Sequence, residues 1–323
     1  MALHPEILAR SPAEGARSVA LALLVEARER ASRLADPSDA EALHDFRVSI
    51  RRLRSTLRAW REPLGKPVRG KDLRRLRRIA RATSAARNAE VLVAWVAGIA
   101  GSLPPSHRAA AEWLAARLDS GTQRADLRRS LERFGAAADA LTRRLEREKP
   151  AGSAGTSAGT SAETFAAALA VRIRVQAASV QACLSRVKTE DDAPLAHRAR
   201  IEGKRLRYLI EPLREAIGAW SDPAVKALKR LQDLLGDLND AHLAATAARE
   251  ARQEVAAEPA RAGQGRRLVG LRPGLGALER LADERAHRLF SRILAEVLPT
   301  HGAALIDPAL RVAAALEARA HVS

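Results

Sequence analysis

One basic signature is written twice in this chain. His44-Asp45-Phe46-Arg47-Val48-Ser49-Ile50-Arg51-Arg52-Leu53-Arg54 recurs 153 residues later as His197-Arg198-Ala199-Arg200-Ile201-Glu202-Gly203-Lys204-Arg205-Leu206-Arg207. His44 is matched by His197, Arg47 by Arg200, Arg51 by Lys204, Arg52 by Arg205 and Arg54 by Arg207. A repeat at one fixed offset asks for two equivalent halves, each presenting the same row of cations. A duplicated cation row suits a long or highly charged anion.

The spacing gives the row its shape. At about 100° per residue, His44, Arg47, Arg51, Arg54 and Arg58 fall in one helical stripe about 80° wide. Leu43, Phe46, Ile50, Leu53, Leu57 and Trp60 form the apolar stripe beside it. The second copy sets His197, Arg200, Lys204 and Arg207 beside Ala196, Ala199, Leu206, Ile210 and Leu213. One such helix would be an ordinary solvated surface. Two in matched register are not explained by solvation.

The rest of the chain reads as helix. Ser11-Pro12-Ala13-Glu14 is a capping box with proline in the first turn, opening a helix that runs to Ala35. Residues 37–41 open the signature helix, which stops before Pro63. Further helices are expected over 68–96 and from Pro105 toward Lys149, with an interruption near Ser120-Gly121-Thr122. The Gly, Ser, Ala and Thr residues of 151–162 have linker composition. The series then resumes over 163–188, 194–218, 223–255 and 275–298, with a Gly- and Arg-rich loop over 258–276. Alternating β-branched runs are missing, so strands are not expected. The expected fold is all-α: two antiparallel four-helix bundles, 10–150 and 163–298, related by a pseudo-two-fold repeat. Residues 299–323 are expected as a tail with a short helix near 308–320. If the bundles meet at the repeat axis, the two cation stripes line one shared groove.

Charge supports an acidic partner. Lys and Arg number 55 against 38 Asp and Glu, a formal net charge of +17. Aromatic residues are 3%, too few for a base-stacking platform. The one cysteine, Cys183, excludes an internal disulfide and a cysteine zinc site, and its apolar neighbours suit a packed side chain. No secretory signal or membrane-spanning run is evident, and the cytoplasm is the expected setting.

The doubled pattern His-x-x-Arg-x-x-x-Arg/Lys-Arg-x-Arg resembles the CHAD family, the conserved-histidine α-helical domain. Leu228 to Asp240 looks like the family's helix after the second signature, and Leu76 to Glu90 looks like its first-half counterpart. The resemblance covers 10–298 as a single domain. It departs at Arg87-Asn88, where a member usually has Arg-Asp; the second half keeps Asn239-Asp240. The resemblance implies two helical bundles around a basic central cavity that binds inorganic polyphosphate, with polyphosphate granules as a candidate setting.

Arginine suits that ligand because its planar fork matches phosphate oxygens and stays charged. The expected polyphosphate-binding residues are His44, Arg47, Arg51, Arg52, Arg54 and Arg58 on the first signature helix, and His197, Arg200, Lys204, Arg205 and Arg207 on the second. Arg74, Arg78 and Arg81 share a face of the third helix, and Lys226 and Arg230 hold equivalent places in the second half; local ion pairing accounts equally well for that row. No nucleotide-binding loop, zinc-protease motif or nucleophile elbow is present, and the signature helices offer cations rather than metal-holding carboxylates. Binding without catalysis is expected, with no cofactor and no metal. The alternatives are a basic helical protein for RNA or DNA, and an adaptor for an acidic protein.

Overall fold

The structure is a computed structural model that describes residues 3–36, 38–39, 41–118, 121–147, 163–257 and 270–322. The linker expected over 151–162 and most of the loop expected over 258–276 lie outside these residues. The described residues contain no strand. Among the described residues ten long helices carry the architecture. The first half holds α1 (Pro12–Arg33), α2 (Ala42–Ala59), α3 (Gly70–Ala100), α4 (Pro105–Leu118) and α5 (Gly121–Arg147). The second holds α6 (Phe165–Leu184), α7 (Ala193–Ile210), α8 (Ser221–Ala257), α9 (Arg272–Glu296) and α10 (Ala303–Val322).

Local signals start these helices where the sequence places them. The Ser11 hydroxyl accepts from the Glu14 amide at 3.4 Å, and the Glu14 carboxylate accepts from the Ser11 amide at 3.2 Å. Thr164 caps α6 in the same way, accepting from the Ala167 amide at 3.2 Å. α2 is held instead by its apolar stripe: Phe46, Ile50, Leu53 and Leu57 are all fully buried. After α2 a single turn, Arg61–Leu64, ends at Gly65 with φ 58°; after α7 the turn Arg214–Ile217 ends at Gly218 with φ 81°. The two glycines obey the 153-residue offset of the signatures. A side chain would meet nothing at either place, so glycine is there for its backbone. The helix expected over 194–218 breaks at Ile210, because Pro212 cannot continue the ladder.

Among the described residues each half has five long helices rather than four. In the first, α1, α2, α3 and α5 pack in a closed ring; in the second, α6, α7, α8 and α10 do the same. Residues 299–322 therefore form no tail. Ile306, Ala309, Val312, Ala313 and Leu316 of α10 lie in the main core with residues of both rings. The remaining helices, α4 and α9, pack against each other and against the far ends of α3 and α8. This distal lobe has its own core, in which Val96 and Leu114 of the first half meet Ala248, Val255, Leu275 and Leu278 of the second.

The halves are also joined at the opposite end of α3. Trp60, just past α2, packs on Phe165 at the start of α6, with ring centroids 4.6 Å apart. The Arg172 guanidinium lies 4.1 Å from the Trp60 ring and donates to the Ala59 carbonyl at 3.2 Å. Between this clasp and the distal lobe, α2 meets α7 and α3 meets α8.

Candidate functional site

The signature helices bring their apolar stripes to the two ring cores, which leaves their charged borders facing each other across the seam. There α2, α3, α7 and α8 wall two adjoining pockets that share part of their lining. The larger, bordered by all four helices, has a volume of about 910 Å³, and the smaller, bordered by α2, α3 and α7, about 710 Å³. Arg51, Ser84, Asn88, His197, Arg200, Lys204 and Tyr208 belong to both.

Most of the expected residues converge here. His44, Arg47, Arg51, Arg52, His197, Arg200, Lys204 and Arg207 line the larger pocket, and Arg54, Arg58, Arg81 and Arg205 the smaller. Arg74, Arg78, Lys226 and Arg230 are not on either wall; all four are exposed, and Arg230 pairs with Glu296 at 3.1 Å. The helix turn explains this. Arg77, Arg81, Ser84 and Asn88 form the stripe of α3 that faces the cavity, and Arg78 is about 100° away from Arg77. Arg74 lies on the stripe's edge but toward the helix start. Lys229 is the corresponding wall residue of α8. Arg77, Arg87 and Lys229 were not among the expected site residues. The buried stripe Leu76, Ile79, Ala80 and Thr83 was the available signal, since it fixes which neighbouring positions border the seam.

The wall cations fall into two groups. Some are held by carboxylates. Arg52 donates to Glu26 at 2.9 Å and to Glu211 at 3.0 Å, so Glu211 links the two halves. Arg207 donates to the same Glu211 at 3.0 Å and to Gln232 at 3.0 Å, with its guanidinium 5.0 Å from the Tyr208 ring. Arg205 pairs with Glu202 at 2.6 Å. Asp45 is taken by Arg30 at 3.1 Å and by Arg33.

The second group, Arg47, Arg51, Arg200 and Lys204, makes no salt bridge among the described residues. Arg51 donates to the Ser84 hydroxyl at 3.1 Å. Arg47 is 9% exposed, and its Nε and Nη1 are buried without a partner, as are Arg200 Nε and His44 Nδ1. The Arg200 guanidinium packs over Gly236, its Nε 3.5 Å from where a Cβ would stand, an ordinary contact distance. His197 Nδ1 lies 2.6 Å from Asn239 Oδ1, and the Asn239 amide donates to Asp240 at 3.1 Å. That orientation makes the Asn oxygen the acceptor and puts the proton on His197 Nδ1.

Burial lowers every member of this group, and neighbouring like charge adds to it at Arg47, Arg200 and Lys204. Burial, then Arg200, Arg51, Arg47 and Arg207, push the Lys204 ammonium down to about 6. Burial, then Arg51, Arg87 and Arg200, push Arg47 down to about 10, which still leaves it charged at neutral pH. Arg51, Arg54 and Arg200 are lowered chiefly by burial. His44 is lowered by burial first and by Arg87 and Arg47 next. Buried, unpaired donors of one sign are costly unless an anion completes them.

Elsewhere the described residues offer little chemistry. The described residues hold no cluster of three or more His, Cys, Asp or Glu able to ligate a metal. No described helix is long and apolar enough to cross a membrane. Cys183 is half-buried against the core, and burial raises its thiol.

Comparison with known proteins places the fold. A family model described as the CHAD domain matches residues 19–249. The crystal structure of the CHAD domain from the plant Ricinus communis aligns with a TM-score of 0.60, covering 98% of this chain and 94% of that one at 19% identity. PptA from Streptomyces chartreusis aligns with a TM-score of 0.52, covering 85% of this chain and 98% of that one at 17% identity. No curated protein matches the sequence.

Proposed function

This chain belongs to the CHAD domain family, and on that footing we propose that it binds inorganic polyphosphate in the cavity between α2 and α7 without turning it over. One observation carries the reading. Arg47, Arg51, Arg200 and Lys204, two from each signature helix, converge on one cavity with no salt-bridge partner among the described residues. Polyphosphate is narrow and flexible, with about one negative charge per unit, and so can reach cations that face inward. A nucleic-acid duplex asks for an exposed helix or a convex basic surface. These cations lie inside a concave wall.

Binding rather than hydrolysis suits the residue types. Guanidinium forks and an ammonium hold phosphate oxygens; cleaving a phosphoanhydride calls for an activated water and a base or metal-holding carboxylates. Under this reading the protein resides where polyphosphate accumulates, granules included.

Titration calorimetry with long-chain polyphosphate at several salt concentrations tests the proposal. Log affinity is expected to fall linearly with log salt, by about 0.7 per phosphate contacted, as for flexible single-stranded polyanions. Single-stranded RNA of equal charge should compete poorly. A flat salt response, or RNA displacing polyphosphate, would overturn the reading.

A further inference from the structure

The signature repeat matches five cation positions, and only one changes residue type: Arg51 answers to Lys204. The exchange matters chemically. A guanidinium keeps its proton at any relevant pH, whereas an amine can lose it and become a nucleophile. The chain has seven lysines. Lys66, Lys71, Lys188, Lys226 and Lys229 are exposed, while Lys204 is half-buried in the cavity wall.

Lys204 lines both pockets, beside Arg51, Arg200 and Tyr208. It makes no side-chain hydrogen bond or salt bridge among the described residues, and the carboxylates of the larger pocket leave it unpaired. The smaller pocket, about 710 Å³, sets it among seven arginines, Arg51, Arg54 and Arg200 included, and among the described residues no carboxylate lines it. Arg200 Nε is buried without a partner, a donor that an oxyanion would satisfy. Burial first, then the surrounding cations, hold the ammonium near 6, so at neutral pH the free protein presents mostly the neutral amine. One wall thus offers donors for a phosphate next to a group that reacts with electrophilic carbon.

We propose that Lys204 is a covalent modification site for acyl phosphates, the mixed anhydrides of a carboxylic acid and phosphate. The arginines take the phosphate group, and the Lys204 Nζ takes the acyl group. Nζ attacks the carbonyl carbon, the N–C bond forms and the C–O bond to phosphate breaks. Phosphate leaves with the electron pair of that bond and accepts the proton that the nitrogen sheds. The product is an amide with no charge. The reaction requires only that the wall hold a phosphate group. If the wall also binds polyphosphate, as proposed above, acylation removes one of its cations and weakens that binding.

The test incubates the full chain with acetyl phosphate at neutral pH and follows each lysine by peptide mass spectrometry. Lys204 should be acetylated about tenfold or more faster than Lys188 and Lys226, because it alone is held beside the reagent. With p-nitrophenyl acetate, which carries no phosphate, that preference should shrink several-fold. Arg200→Gln and, separately, Arg54→Gln, each checked for helical content by circular dichroism, should slow acetylation of Lys204 by acetyl phosphate several-fold and leave Lys188 unchanged. Acetylation of Lys204 no faster than of the exposed lysines, or an equal preference with both reagents, would overturn the proposal. Excess tripolyphosphate should protect Lys204 and not Lys188. Steered acetylation without that protection would uphold this site and overturn the polyphosphate reading instead.

Discussion

Lys204 is the residue whose chemistry is most changed by its surroundings. Arg47 and Arg51 face it from α2, and Arg200, Arg207 and Tyr208 from its own helix. Held near 6, it is largely neutral in the free protein at pH 7. A bound polyanion favours the ammonium and raises its pKa, so binding takes up a proton. By linkage, affinity is greatest below about 6 and weakens as pH rises through the pKa of the complex. His44, also lowered, adds to the trend in the same direction. Lys204→Arg supplies a permanent charge, and should bind several-fold better than wild type at pH 8 with a flatter profile from pH 6 to 8. Affinities measured across that range check this; a profile as steep as wild type would assign the pH response elsewhere. The free protein has its own pH response. Between about 6 and 10.5 the unfolded chain binds a proton on Lys204 that the folded chain does not, so stability rises with pH through that window and falls on acidification toward 6.

Among the helices, the repeat reaches down to backbone geometry. Gly65 and Gly218 stop the turns after α2 and α7 at φ 58°, ψ −137° and φ 81°, ψ −145°. Alanine in either place has open space around it and still suffers the backbone. Gly65→Ala and Gly218→Ala should each cost about 1–3 kcal/mol in chemical denaturation, with similar values for the two. A cost near zero at one of them would show that its turn relaxes. The signature helices were legible in the sequence because both signals, a buried stripe and a charged border, run along a single helix. The α3 and α8 wall was less so. Arg74, Arg78 and Arg81 lie among further cations on a helix whose basic residues surround it, and only the neighbour against which it packs decides that Arg77 and Arg81 turn inward. The fourth ring helix of the second half was misplaced for a related reason. α9 has the length and pattern of a bundle helix, but its apolar face meets α4 and α8 in the distal lobe, which no local periodicity reveals.

For the molecule as a whole, α10 closes the second ring. Ile306 is fully buried between elements of that ring, and Gly302 before it packs against Leu184 and Val297. Ile306→Ala should cost about 2–4 kcal/mol of unfolding free energy, where a change in a true tail would cost nothing measurable. Urea unfolding compared with the unaltered chain decides between them.

The two halves are fastened on both sides of the cavity, by Trp60, Phe165 and Arg172 at one end and by the α4–α9 lobe at the other. Neither fastening lies on a loop that could swing, so the walls do not part as a clamshell does. A polyanion then docks into a site that is already formed. Its arrival is then limited by finding an opening and not by waiting for the protein to open, so the association rate should respond to salt more than to temperature. Departure requires every unit held inside to leave its cations. Residence time should therefore lengthen with the number of units held inside and level off once the cavity is full, however long the polymer outside.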